Sequence, residues 1–113
     1  MYTQEDVRKL FMQRGEIEME LKVRQAQYYG KEAEIPSEMA ARVMELQREL
    51  MTIDGFFAAL SENEAFVIQH HLMEELDWPQ TMALFAQKWG VEAEKSLRSM
   101  KALQEKGLRK IAR

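Results

Sequence analysis

Residues 85–96 read FAQKWGVEAEKS, and the reading of the C-terminal half turns on whether this stretch ends one helix and aims another. Two helices that cross steeply through a short turn need a small side chain where their backbones approach and a residue that tolerates positive φ in the turn itself. Ala86 and Gly90 stand four apart as that geometry asks. Phe85, Trp89 and Val91 are expected to form the apolar wedge that fixes the pair, and the helix beyond Gly90 would carry Lys95, Arg98 and Lys101 near its front. That is the pattern of a helix-turn-helix. A plain helical corner closed by a C-terminal glycine uses the same residues and is the commoner arrangement.

Working back toward the N-terminus, Ser61-Glu62-Asn63-Glu64 is a capping box, S-x-x-E, in which serine and glutamate satisfy each other's free backbone amides. It predicts a third helix through about Leu76, buried along Phe66, Val67, Ile68, Leu72, Met73 and Leu76. Asp77, Trp78 and Pro79 read as a turn, after which Thr81 is expected to cap a short fourth helix ending at Trp89. Further upstream, Ser37 is expected to cap a second helix. Its apolar residues Met39, Val43, Leu46, Leu50, Ile53, Phe57 and Leu60 alternate at four and three residues, a sustained heptad seam. A first helix opens at Thr3, with Asp6 placed to complete the cap, and ends at Gly30. Its stripe of Val7, Leu10, Phe11, Ile17, Leu21 and Tyr28 is interrupted by Arg14 and Arg24. Polar KEAEIP, closed by Pro36, links the two.

The expected fold class is therefore all-α. An N-terminal helical hairpin over residues 1–60, a candidate arm for a homodimer, precedes a helix-turn-helix domain over residues 61–113. A hairpin packed only on its own C-terminal half fits the same seam.

Composition supports the helical reading. Of 113 residues 46% are hydrophobic and 31% charged, with only five glycines and two prolines; this suits one domain with or without an appended arm. The absence of cysteine removes disulfides, thiolate metal sites and a cysteine nucleophile, and fits a reducing compartment. With no signal-like start and no apolar run of about 18 residues, a cytoplasmic protein without a membrane is expected. The net charge of −3 conceals a strong polarity. Residues 1–60 carry 8 basic and 11 acidic side chains and residues 61–92 carry 1 and 6, whereas residues 93–113 carry 7 and 2. A basic C-terminal helix closes an acidic chain, and such a local field holds a phosphate backbone despite the negative total. A solvated helix face is the alternative use of the same charges.

From Leu60 to Arg113 the chain resembles the fourth conserved region of bacterial sigma factors and the phage late-gene regulators built on it. The likeness rests on a capped helix after "LS", the stretch HHLMEELDW, a short helix ending in a bulky residue and Gly90, and a basic helix ending GLRKI. It covers about half the chain. The spacing from Trp78 to Gly90 holds about one more helical turn than that family uses, and Glu92 and Glu94 stand where hydroxyl or basic residues are usual. The resemblance implies promoter DNA in the major groove as partner, with RNA polymerase as a further one.

On this reading Arg98 pairs with a guanine edge, Glu94 accepts from a cytosine amine, and Lys95, Ser99 and Lys101 grip phosphates. Lys106, Arg109, Lys110 and Arg113 lie too far along the helix for base readout. His70 and Glu74, and His71 and Glu75, stand at i, i+4 on two helix faces. With no other histidine in the chain, these are expected to pair locally rather than hold a metal. No phosphate loop, nucleophile-base arrangement or paired carboxylates is present, so neither enzymatic activity nor a cofactor is expected. Two functions remain: a DNA-binding transcriptional regulator of phage or prophage type, and a non-enzymatic interaction module that uses the helix-turn-helix as scaffold and the acidic hairpin to bind a partner chain.

Overall fold

Where the chain enters its first helix, the Thr3 hydroxyl accepts the amide of Asp6 at 3.1 Å and the Asp6 carboxylate accepts the amide of Thr3 at 2.9 Å. That reciprocal pair satisfies two of the free first-turn amides. The hydrogen bonds to Thr3 hold the Asp6 carboxyl below its ordinary range. The computed structural model describes residues 1–93 and 95–112. The chain is all-α: its described residues form α1 (Gln4–Gln27), α2 (Ser37–Ala58), α3 (Glu62–Val67), α4 (Trp78–Trp89) and α5 (Leu97–Ile111), with short 3-10 turns at Glu32–Glu34 and Val91–Ala93.

Helices α1 and α2 lie antiparallel. Arg14 meets Asp54 at 3.0 Å and Glu20 meets Arg42 at 2.9 Å, so residue numbers rise on one helix as they fall on the other. Val7, Phe11, Ile17 and Leu21 of α1 are buried with Leu46 and Ile53 of α2, while Val43, Leu50, Phe57 and Leu60 pack against them partly exposed. The two arginines that interrupt the apolar stripe of α1 have a use at its edge. Arg14 joins Glu18 at 2.7 Å as well as Asp54, and Arg24 joins Glu20 at 2.7 Å. Between two guanidinium groups, first that of Arg42 and then that of Arg24, the Glu20 carboxyl is pulled down to about 2.

The start of α2 differs from expectation by one residue. Pro36 occupies the cap position with extended ψ and Ser37 is already helical, with no side-chain cap. Proline's fixed φ suits the entry, and its carbonyl accepts the amide of Ala40 at 2.9 Å.

The capping box at Ser61 and Glu64 is present in both directions, but the third helix does not continue as α-helix to Leu76. It widens into a π-helical segment, Ile68–Met73, with the amide of Glu74 on the carbonyl of Gln69 and that of Leu76 on the carbonyl of His70. Glu75 then turns the chain at φ 58°, alone among the described non-glycine residues in having positive φ. The fourth helix is capped by Asp77 rather than Thr81. The Asp77 carboxylate accepts the amide of Gln80 at 2.8 Å, and the Gln80 side chain returns a bond to the amide of Asp77. Proline in the first turn, where no amide bond is lost, agrees with that start. Thr81 is buried one turn in, its hydroxyl donating to the Asp77 carbonyl at 2.9 Å.

One core gathers residues from both sides of residue 60: Val7, Phe11, Leu46 and Ile53 join Ile68, Leu72 and Leu108. A second, around Val67, Phe85 and Met100, holds α4 with Phe66, Trp78, Met82, Trp89 and Leu103. Helix α5 packs tightly at Gly107 against the ends and flank of α3. A Cβ there would lie 2.8 Å from the Ile68 side chain and 3.2 Å from that of Leu60. Glycine inside a helix costs roughly 1 kcal/mol against alanine, and this contact is the reason for it.

Candidate nucleic-acid interface

The segment between α4 and α5 is longer than a tight helix-turn-helix corner. Gly90 takes φ 92°, ψ 157°, the left-handed side of backbone space expected of it. Space is not what requires glycine here, because a Cβ at Gly90 would meet nothing within 4 Å. A 3-10 turn over Val91–Ala93 follows. Val91 is 76% exposed, so it is no part of the wedge, which Phe85 and Trp89 form with Phe66: their rings lie 5.7 and 4.9 Å from the Phe66 ring. The positive φ at Gly90 turns the chain so that Val91 lies away from that cluster.

Helix α5 begins at Leu97, capped by Ser96, whose hydroxyl accepts the amide of Ser99 at 3.2 Å. Lys95 therefore precedes the helix instead of lying on its front, and it is half-buried. Glu94 lies outside the described residues. Arg98, Ser99 and Lys101 are exposed in the first turns of α5, so three of the five candidate contacts share the helix's N-terminal end.

The two faces of α5 differ sharply. Met100, Gln104, Gly107 and Leu108 are buried, whereas Arg98, Lys101, Ala102, Glu105, Lys106 and Arg109 are exposed. Among the described residues, no carboxylate pairs with Arg98, Lys101, Lys106 or Arg109. Leu97, Arg98, Lys101, Ala102 and Glu105 line a shallow groove along the helix.

Lys110 is different. Its ammonium lies 2.7 Å from the carboxylate of Glu64, which is 1% exposed. Burial works to raise the pKa of Glu64, but the bonds from Lys110 and Ser61 outweigh it and the carboxyl sits below its usual range. Lys110 thus fixes α5 to the start of α3 and is withdrawn from any phosphate. The capping box was legible in the sequence; its distant cation was not, because nothing local links positions 64 and 110.

Beside the π-helical segment the two histidines part company. His70 Nδ1 is 2.8 Å from Glu74, the expected i, i+4 pair. His71 forgoes Glu75, which has left the helix, and its Nδ1 lies 2.9 Å from the Leu76 carbonyl. A carbonyl only accepts, so that nitrogen carries the proton and Nε2 is left as acceptor. The ring stacks on Trp78 at 3.7 Å. Burial lowers its pKa below the ordinary 6.5, helped by the nearby charges of Arg8 and Lys101 and opposed by the Leu76 carbonyl and Asp77. His71, Trp78, Arg8, Lys101, Gln104 and Glu105 enclose a crevice of about 300 Å3 between α1 and α5.

No family model matches the chain, no curated protein matches its sequence, and no solved structure matches its fold.

Proposed function

We propose that the chain is a DNA-binding transcriptional regulator of phage or prophage type in which α5 enters the major groove. The observation that carries this reading is the exposed arc of α5, where Arg98, Lys101, Lys106 and Arg109 stand with Glu105 as the one described acid. A solvated helix commonly mixes its signs and pairs them; this one presents, along a single face, cations that no acid among the described residues neutralises, as a helix facing phosphates does. Arg98, two residues past the cap, reaches a guanine edge through its bidentate fork. Ser99 and Lys101 hold phosphates beside it. Lys95, off the helix, contributes charge rather than readout.

Substituting the two kinds of contact separates them. Arg98→Ala removes about 1 to 3 kcal/mol of preference for one base pair, while Lys101→Ala weakens every duplex alike. Equal loss from Arg98→Ala on all sequences would contradict base readout.

A second reading has its own observation. Met12 and Met19 on α1, and Met44 and Met51 on α2, are exposed in pairs seven residues apart, the repeat of a helix that meets another helix. In this reading the pair α1–α2 is an interaction arm for a second copy or for RNA polymerase, and α5 is scaffold. Light scattering separates a dimer from a monomer, and Met51→Glu would abolish the dimer.

A further inference from the structure

The crevice between α1 and α5 has features that fold stability alone does not require. The side chain of Gln104 is 4% exposed, and its Oε1 is buried without a hydrogen-bond partner. A buried carbonyl left unpaired costs on the order of 1 to 3 kcal/mol. Two backbone irregularities shape the chain around the histidine of this crevice: the π-helical segment Ile68–Met73, which carries His71, and Glu75 at φ 58°, which falls between His71 and Trp78 in sequence. Both are uncommon conformations that recur at binding and catalytic sites. Here they bring the His71–Trp78 stack against the crevice that Arg8 and Lys101 also line. Lys101 has no described acidic partner, and Arg8 touches its own Glu5 only at 3.9 Å.

From this convergence we propose that the crevice seats one phosphate group of the DNA that α5 contacts, clamped between Arg8 of α1 and Lys101 of α5. The inference rests on the DNA reading of α5 and extends it to a residue some ninety positions away, outside the segment that resembles sigma factors. The Arg8 fork offers paired donors suited to a phosphate, and Lys101 acts as a point charge. Gln104 can serve the phosphate only through its NH2, which donates, because the amide oxygen and the phosphate oxygens are all acceptors. Glu105 stands at the rim and opposes the anion, so this seat has moderate affinity and takes a phosphate delivered by a duplex in register. The first helix thus acts as a brace that sets the angle of α5 on the duplex.

The test is binding of a duplex from the protein's own genome, measured across a salt series for the full chain and for Arg8→Gln, Arg8→Lys and Glu105→Gln. Arg8 is half-buried and weakly paired, at 3.9 Å from Glu5, so the substitutions leave the fold intact, which an unchanged melting curve verifies. Arg8→Gln is expected to reduce the slope of log affinity against log salt by about one unit, the loss of one phosphate contact. Arg8→Lys restores most of that slope, and Glu105→Gln tightens binding. Wild-type binding with an Arg8→Gln slope unchanged overturns the seat and leaves the DNA reading standing. Absence of wild-type binding overturns both. Inorganic phosphate added at constant ionic strength distinguishes a free-ion site: if it displaces the duplex from wild type and not from Arg8→Gln at low millimolar concentration, the seat takes free phosphate and the proposed duplex contact is overturned.

Discussion

Three arginines of the α1–α2 pair and two of α5 are the same chemical group put to opposite uses. Arg14, Arg24 and Arg42 each lie within 3.0 Å of a carboxylate, and two of them bridge the helices. Arg98 and Arg109 of α5 have no acid among the described residues. Charges spent within a structure set register and leave little field outside it, whereas charges left open make a surface that waits for an anion. The difference teaches that the net charge of −3 says little about partners here. What matters is where charges meet partners: Glu18, Glu20, Glu45 and Asp54 of the N-terminal half each pair with an arginine.

The comparison breaks most severely if α5 is not seated as described, because its open face then has no fixed direction. Gly107→Val adds side-chain atoms where even a Cβ would approach the Ile68 side chain to 2.8 Å. Overpacking of this kind costs on the order of 1 to 3 kcal/mol or more, read as a lower denaturation midpoint in urea. An unchanged midpoint would mean that α3 and α5 do not approach each other closely at this glycine.

A smaller loss is expected at Glu64, the one deeply buried carboxylate among the described residues and the anchor of Lys110. Glu64→Gln keeps the cap geometry but leaves the Lys110 bond without its charge, at a cost of about 1 to 3 kcal/mol. Because the folded carboxyl lies below the ordinary 4.5, its contribution is present above that pH and is lost as pH falls through the folded value. The wild type should therefore lose more stability between pH 6 and pH 3 than Glu64→Gln does. Parallel stability curves would show that Lys110 is not anchored there.

Glu20→Gln should have the smallest effect, although Glu20 carries the larger shift, because the pair it joins is open to water and salt. Its carboxyl at about 2 contributes above pH 4.5 and loses that contribution as pH falls toward 2. Melting curves in low and high salt would check this. A loss from Glu20→Gln as large as that from Glu64→Gln, and insensitive to salt, would erase the contrast between the two regions.

Much of this architecture was legible in the sequence, and the omissions have physical causes. Caps at Thr3 and Ser61 are local, written in residues three apart, and the heptad seam of α2 is periodic; both kinds of signal survive without knowledge of the fold. The start of α4 lies at Asp77 and not at Thr81, and Asp77-Trp78-Pro79-Gln80 carries its own capping pattern with proline in the first turn. The same four residues also fit a turn, which is why the local signal is ambiguous. Gly107 was available too, as a glycine placed against propensity inside a basic helix. The π-helical segment and the crevice were not legible. They depend on Arg8, His71, Trp78 and Gln104 meeting from elements far apart in the chain, and no spacing rule joins them.

The proposed presentation of open cations by α5 to DNA is read out by the affinity of the wild-type chain for duplex DNA of its own genome as a function of salt. With Lys101, Arg8 and one or two further cations on phosphates, log affinity should fall linearly with log salt, with a slope of about −3 to −4. Failure to bind any duplex near 50 mM salt, where electrostatic binding is strongest, would contradict it and leave the α1–α2 arm as the functional surface.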